Sequence, residues 1–428
     1  MKTSASTTPS PQYKRELLAW AFLPLMLGAI EGGVIGILTK RLFDGVVDST
    51  ILDWSVAALA AAQGFANISS FMWAALSHGK HKIYFITALK IAAVLLIGTV
   101  AFVPISPAGL ALLLVCVVGT RICWTGVVTL RTTVWQANYP RSSRTVIAGK
   151  IYIVQALVLA SVGFGIGEAM KIDEHAFRWV YPIAASFGII GAWIYSKIRV
   201  VNHEELLREE KSAPEHVSLI PWKAFSLLFE DKDFAKYMCF QFILGIGNLM
   251  LSAPLILVLS DSFNLDVLEE ILIVSTVPIL MIPWSTPLWA KALDKMHILT
   301  FRAIHSWFFV ASSVCVALSI SFAYVPGLWI GAVIRGIAFG GGVLAWNLGH
   351  QDYAPVEQSG RYMGLHVTLT GIRGLFAPAL GVALYSYLVA NGYQGGPIVF
   401  YIGALLSAVG GIGFFLLSKE RKNIENAC

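Results

Sequence analysis

The sequence predicts an all-α membrane protein with twelve transmembrane helices, arranged as two related bundles of six. Hydrophobic residues make up 57% of the 428-residue chain and charged residues only 13%, whereas ordinary soluble domains are about 25% charged. Long apolar stretches alternate with short polar segments, and a helix is the structure in which one lipid-exposed segment satisfies its own backbone. The third observation is an internal repeat.

The repeat is a set of residues that recur half a chain length later. With an offset of 335 − 121 = 214 positions, four residues return in order, Arg121, Gly126, Leu130 and Tyr139 as Arg335, Gly340, Leu344 and Tyr353. A duplicated half inside an apolar chain is typical of transporters built from two similar bundles around a central site.

Apolar windows place the predicted spans in chain order. The first bundle, 17–198, has spans near 17–38, 54–76, 83–103, 108–130, 147–170 and 178–198. The second bundle, 234–418, has spans near 234–258, 268–290, 298–322, 327–348, 362–388 and 397–418. We expect residues 1–16 to form a disordered tail, 199–233 a charged linker with an amphipathic helix near 221–234, and 419–428 a second tail.

The distribution of basic residues predicts the orientation. With the amino terminus inside, about 23 lysines and arginines fall on inner segments and about four on outer ones, as the positive-inside rule requires. We therefore expect a protein of the cell membrane with both termini cytoplasmic. The net charge of +6 comes largely from these loops, and it does not indicate nucleic-acid binding.

Other function classes lack support in the sequence. The five cysteines include no Cys-x-x-Cys pair, so neither a metal site nor a disulfide framework is indicated. No Gly-x-x-x-x-Gly-Lys-Ser/Thr loop is present to bind a nucleotide. We expect a monomer that is not an enzyme, has no cofactor, and has a solute, protons and the lipid bilayer as its partners.

Two motifs add to the topology. Arg121 is followed by Gly126 in the fourth span, and the loop after the second span reads Ala-Ala-Leu-Ser-His-Gly-Lys-His-Lys over 74–82. With twelve spans, a central linker and the repeat, the chain resembles the major facilitator superfamily, with no subfamily assigned. The resemblance implies two bundles related by a pseudo-two-fold axis, and transport by alternating access.

The resemblance also implies gating residues. In the family, an acid in the loop between the second and third spans latches the gate. Here His78 stands where the acid belongs, whereas the second copy of the loop keeps it as Asp294. Gly374 and Pro378 are similar to the glycine and proline signature of exporters, although they lie in the second half.

Glu31 is the predicted proton carrier. It lies about fourteen residues into the first span, and a carboxylate at that depth is costly unless it has a function. Desolvation suits such a group to exchanging its charge for a proton. The alternative is a permanent ion pair with Arg121. The repeat counterpart of Glu31 is near Asn248, which is neutral.

Three arginines and a histidine are the predicted substrate-binding residues, together with Asn248. Arg121, Arg335 and Arg373 outnumber Glu31 in the apolar spans, and guanidinium groups bind carboxylates and phosphates. This excess favours an anionic solute. His366 lies on the same span as Arg373. The alternative is that Arg335 or Arg373 bonds to backbone carbonyls at a helix break. Lys90 is predicted to extend to the headgroups.

The sequence therefore predicts a secondary active transporter of a small organic solute that works by alternating access and is coupled to protons. Three alternatives remain. One is an assembly factor or receptor that has the facilitator fold but no transport activity. Another is a drug or metabolite exporter of the proton-antiport type. The last is an ion-conducting or lipid-moving protein.

Overall fold

The computed structural model describes residues 11–77, 79–139, 141–212, 225–354 and 359–427. These residues contain helices and turns and no strand. Twelve helical segments are long and apolar enough to cross a membrane, which confirms the predicted fold class.

The first half contains six spans. Span 1 consists of Pro11–Gly28 and Gly32–Phe43, and span 2 of Ser49–Ile68, continued by Ser70–Leu76. Spans 3 to 6 are Lys82–Thr99, Pro107–Asn138, Arg141–Ile172 and Phe177–Ser196. The linker contains the helix His203–Ser212 and the short turn Leu227–Glu230.

The second half repeats this order. Span 7 consists of Lys232–Leu249 and Ser252–Ser262, and span 8 of Val267–Ile271, the π-helical turn Leu272–Thr276 and Val277–Leu293. Spans 9 to 12 are Ile298–Ser321, Val325–Leu348, Ser359–Ala390 and Gly395–Ala427. Spans 1 and 7, the first of each half, are both interrupted near their middle, so the repeat extends to backbone shape.

Short polar side chains begin several spans by capping the free amides of the first turn. Asp48 accepts hydrogen bonds from the amides of Thr50 and Ile51 at the start of span 2. Asp266 and Glu269 form a reciprocal capping box at the start of span 8. These caps fix the start of span 2 at Ser49 and that of span 8 at Val267, whereas the predicted starts were 54 and 268.

Some predicted boundaries were wrong. Span 1 begins at Pro11, inside the segment predicted to be a disordered tail, because Glu16 is buried in the bundle. Its carboxylate accepts hydrogen bonds from Trp135 and, at 2.6 Å, from the Tyr139 hydroxyl. Span 12 continues through the predicted tail to Ala427. The amphipathic helix predicted near 221–234 lies partly outside the described residues.

The prediction for Lys90 was also wrong. Its side chain is fully buried, and the ammonium lies 3.0 Å from the centroid of the Tyr195 ring. The face of an aromatic ring attracts a cation, and this attraction strengthens where water is excluded. Lys90 therefore remains inside the first half instead of extending to the headgroups.

Both halves begin and end on the same face of the bundle. Arg15, near the start of span 1, donates to the carbonyl of Lys197 at the end of span 6. Lys236 of span 7 pairs with Glu420 of span 12 at 3.2 Å. We call this side the termini face and the opposite side the distal face.

The two halves pack together mainly toward the distal face. One continuous apolar core joins the first half to the distal parts of the second half, which contribute Ile256, Ile271, Val316, Leu328 and Val399. The part of the second half near the termini face has a separate core, formed around Phe234, Phe301, Ala338, Leu365 and Phe414. The apolar contact between halves is therefore concentrated at one end of the molecule.

Candidate functional site between the two halves

Glu31 lies where the two halves meet. It caps the second part of span 1, since its Oε2 atom accepts a hydrogen bond from the Gly33 amide at 2.9 Å. The same oxygen accepts from the Ser275 hydroxyl, 2.5 Å away in the π-helical turn of span 8. A β-carbon on Gly33 would lie 2.8 Å from Val274, so glycine permits this close approach. The predicted proton carrier thus contacts the opposite half directly.

Arg121 of span 4 binds the same interruption of span 1. Its Nη2 atom donates to the Ile30 carbonyl at 2.6 Å, and its Nη1 atom donates to Gln63 of span 2 at 3.1 Å. The guanidinium also interacts electrostatically with Glu31, but within the described structure the two form no direct ion pair. The arginine satisfies a carbonyl freed by the helix break, and the permanent ion pair considered from the sequence is not formed.

Arg335, the repeat mate of Arg121, occupies a comparable place in the second half. Its Nη2 atom donates to the carbonyls of Ile273 and Val274, at 3.0 and 2.7 Å, in the π-helical turn of span 8. Its Nε atom is buried without a hydrogen-bond partner, and Arg335 too interacts electrostatically with Glu31. Glu31 therefore interacts electrostatically with one arginine from each half.

Asn248 lies in the last turn before the interruption of span 7 and is half-buried. Glu31, by contrast, lies after the first part of span 1 has ended at Gly28 and caps the second part, so the two residues do not hold equivalent backbone positions. In the described structure the Asn248 side chain hydrogen-bonds to neither Arg121 nor Arg335. Asn248 and Glu31 therefore differ both in backbone position and in contacts.

Arg373 and His366 lie in a different place from the Glu31 group. Arg373 is buried within the second half, where its Nη1 atom donates to the Gln241 carbonyl at 2.6 Å. It packs so closely on Gly245 that a β-carbon there would lie 2.3 Å from Nη1. His366 is also buried, with its ring edge-on to Trp346. The predicted substrate-binding set therefore separates into two groups.

The comparisons with known proteins identify the family. A model of the Major Facilitator Superfamily matches residues 18–378. The chain belongs to the major facilitator superfamily. This assignment makes it an integral membrane transporter and not an enzyme. No curated protein matches the sequence.

Solved structures share the fold of this facilitator at low sequence identity. The nucleoside transporter NupG (D323A mutant) superimposes with a TM-score of 0.73 and 13% identity, covering 94% of this chain and 99% of that chain. A POT family transporter in complex with 5-aminolevulinic acid gives 0.70 and 15%, covering 95% and 96%. A bacterial homologue of the human lysosomal transporter Spinster, inward-facing and unoccupied, gives 0.66 and 13%, covering 96% and 98%.

The predicted gating residues of this facilitator lie in different parts of the molecule. His78 lies outside the described residues. Asp294 is exposed at the end of span 8, and Pro378 is accommodated inside the continuous helix of span 11. Gly374 of span 11 packs on Gly64 of span 2. A β-carbon added to Gly64 would lie 2.4 Å from the carbonyl carbon of Gly374. This contact joins the halves, and sequence reasoning missed Gly64.

A group of ion pairs between the halves was also missed. We call it the distal ion-pair cluster, and it consists of Lys40 with Asp53 and Asp261, Arg41 with Glu270, and Lys171 with Asp266. Lys40 lies 3.0 Å from Asp53 and 3.1 Å from Asp261 of the other half. Arg41 lies 2.5 Å from Glu270, which is only 1% exposed. From the sequence alone, these cations are basic residues of outer segments with no identifiable partner.

Asp266 lies just outside span 8 and has a perturbed pKa. Partial burial raises the pKa, but the hydrogen bond from the Glu269 amide and the Lys171 ammonium outweigh this effect and hold the pKa below its ordinary value. The carboxylate is therefore charged at neutral pH. It serves both as a helix cap and as a link between the halves.

Proposed function

We propose that this facilitator is a secondary active transporter that carries a small organic anion together with protons by alternating access. The observation that carries the proposal is the position of Glu31. Its carboxylate contacts Ser275 of the other half and interacts electrostatically with Arg121 and Arg335. A titratable acid that interacts with two permanent cations, at the contact between moving halves, has the parts that such coupling requires.

The arginines supply the anion selectivity. Arg121 and Arg335 direct part of each guanidinium to backbone carbonyls, which fixes their orientation. The Nε atom of Arg335 has no hydrogen-bond partner, so this side chain retains donor capacity. A carboxylate or phosphate that accepts these hydrogen bonds would make charge-assisted contacts with both halves at once.

The charge balance couples the anion to the proton. With Glu31 ionised, the carboxylate offsets one of the two arginine charges. Protonation of Glu31 removes this offset, so an anion binds more tightly and, by linkage, the bound anion favours protonation. Binding of the proton and of the anion is therefore mutually reinforcing, which is the thermodynamic basis of symport.

The packing of the halves suggests how access alternates. The distal cluster and the shared apolar core hold the halves together at the distal face. Opening of that face requires these ion pairs and the contact from Ser275 to Glu31 to separate. Protonation of Glu31 weakens the latter contact, because the hydroxyl then bonds to a neutral group.

We further propose that the termini face is cytoplasmic and that the protein works as a monomer in the cell membrane. The excess of basic residues on that side supports the orientation. One chain supplies both halves of the site, with Glu31 and Arg121 from the first and Ser275 and Arg335 from the second. A second copy is therefore not required.

A thermal-shift screen of the purified protein tests this function. The probes are small carboxylates, organic phosphates and neutral nucleosides, since a ligand at 100 times its Kd stabilises the folded state by about 2.7 kcal/mol. We expect carboxylates or phosphates to raise the unfolding midpoint, and the rise to grow as the pH falls. Arg335→Gln should abolish it, and Glu31→Gln should remove only its pH dependence.

Arg373→Met is the matched control, because Arg373 belongs to the other group and should leave the shift intact. Stabilisation by neutral solutes alone, or an equal anion shift at all pH values in the wild type, would contradict the proposal. Anions that raise the unfolding midpoint in this pH-dependent way should then accumulate in proteoliposomes under an imposed pH gradient.

A further inference from the structure

The second half contains a cluster of charged and polar residues that the Glu31 site does not use. It lies between spans 7, 9 and 11, and we call it the buried cationic cluster: Tyr237, Gln241, Arg302, His305, His366 and Arg373. Arg302 and Arg373 are 3% and 6% exposed. Both histidines are fully buried. The cluster is thus enclosed within one half.

The hydrogen bonds of His305 show that this histidine is neutral. Its Nε2 atom lies 2.7 Å from the Ala338 carbonyl, which can only accept, so Nε2 carries the proton. Its Nδ1 atom lies 3.3 Å from Nη1 of Arg302, which can only donate, so Nδ1 accepts. His305 therefore orients Arg302 without adding or removing charge.

Within the described residues, the two arginine charges lack a carboxylate partner. Arginine stays protonated in proteins, and no carboxylate in the described structure pairs with Arg302 or Arg373. Three groups also have unused hydrogen-bonding atoms, namely Nε of Arg302, Nε of Arg373 and both ring nitrogens of His366. Buried charges without a partner are strongly destabilising, so the cluster requires an additional negative group.

The first half resolves a similar problem differently. Arg131 is also buried, but its guanidinium lies 4.2 and 4.4 Å from the ring centroids of Trp20 and Trp135. Glu16 supplies a carboxylate to the same region, where Trp135 donates to it. Aromatic faces and an acid thus compensate the cations there, whereas among the described residues no acid pairs with Arg302 or Arg373 and no aromatic face lies over either guanidinium.

We propose that the buried cationic cluster binds one small inorganic anion of halide type between Arg302, Arg373 and His366. A halide accepts N–H donors from any direction, which suits unpartnered donors that spans 9 and 11 contribute to one buried region. The bound anion would neutralise part of the arginine charge and fix the packing of the second half. It is separate from the transported solute, because the cluster shares no residue with the Glu31 site.

Halide-dependent stability tests this proposal on the full-length protein. Apparent unfolding midpoints are compared in sodium bromide, sodium chloride and sodium gluconate at constant ionic strength. A parallel series in Arg335→Gln excludes any contribution of gluconate at the Glu31 site. We expect the midpoint to rise with halide concentration in the wild type. Arg302→Met with Arg373→Met should abolish this dependence. Arg131→Met should lower the midpoint equally in all three salts and keep the halide shift.

Two further measurements separate the proposal from its rival. Tyr237 interacts with Arg302, and an ionised Tyr237 would be an internal counter-charge. In that case the ultraviolet spectrum would contain a tyrosinate absorption that Tyr237→Phe removes, and halides would have no effect. Crystals grown in bromide should give an anomalous peak between Arg302, Arg373 and His366. A midpoint independent of halide, or a shift that survives the double arginine variant, would overturn the proposal.

Discussion

Glu270→Gln tests whether the distal ion pairs hold the two halves together. Glu270 is nearly completely buried beside Arg41, which also donates to the Leu265 carbonyl at 2.8 Å. The substitution keeps the shape of the side chain but removes its charge. Arg41 then faces a neutral amide, and the closed arrangement of the distal face loses the inter-half ion pair with the most buried carboxylate.

The burial of the two partners sets the expected magnitude. Removal of one partner from a fully buried pair costs about 3–5 kcal/mol. The Arg41 side chain is 34% exposed, so solvent screening reduces the effect, and we expect about 2 kcal/mol. At about 1.4 kcal/mol per factor of ten, the ratio of distal-open to distal-closed molecules should rise about 30-fold.

Double electron–electron resonance (DEER) between two spin labels measures this ratio. Spin labels at Val46→Cys and Asn264→Cys, in a background without native cysteines, report the separation of the two halves at the distal face. The wild type should give mainly the short distance, and Glu270→Gln should add a longer one. Lys171→Gln is the control, because its pair with Asp266 is exposed and should matter little. Unchanged distances in Glu270→Gln would refute the reasoning.

Three further predictions follow from other contacts. Glu31→Gln should abolish accumulation driven by a pH gradient but retain solute exchange in proteoliposomes; full gradient-driven uptake would exclude Glu31 as the proton carrier. Gly64→Ala should cost about 1–3 kcal/mol through overpacking against span 11 and lower the unfolding midpoint, whereas Gly165→Ala, which meets no neighbour, should not. Burial and the neighbouring His203 lower the pKa of His81, and the two rings lie 4.0 Å apart. The folded state therefore resists protonation, and docking of the linker helix should weaken as the pH falls below about 6.5. Hydrogen exchange of the backbone amides of residues 203–212 measures the docking of this helix. An equal pH response in His203→Gln would contradict the prediction.

The candidate site could be predicted in part. Glu31 and Arg121 are identifiable because an ionisable residue inside an apolar span is energetically costly and therefore indicates a function. Arg335 follows from the repeat. The same reasoning grouped Arg373 and His366 with them, which the structure does not support. Depth along a helix can be read from the sequence, but the direction in which a side chain faces depends on how neighbouring helices pack.

The ion pairs and close contacts between the halves were not predictable. Lys40 and Arg41 resemble ordinary loop cations, and their partners Asp261 and Glu270 lie more than 200 positions away. Gly64 and Gly374 likewise acquire their importance only when spans 2 and 11 cross. Such pairs depend on the arrangement of the halves, for which a single sequence contains no distance information.

By itself, the sequence determined the twelve spans, the two related halves and the presence of costly charges at membrane depth. Each of these is a local property, because a segment's hydropathy or its similarity to another segment does not depend on its neighbours in space. Only the tertiary structure decided which charges meet. It placed Glu31 against Ser275 and within electrostatic reach of Arg121 and Arg335, and it enclosed Arg373 with Arg302 elsewhere. Electrostatic function depends on separations of a few ångströms, and these are fixed only when the helices pack.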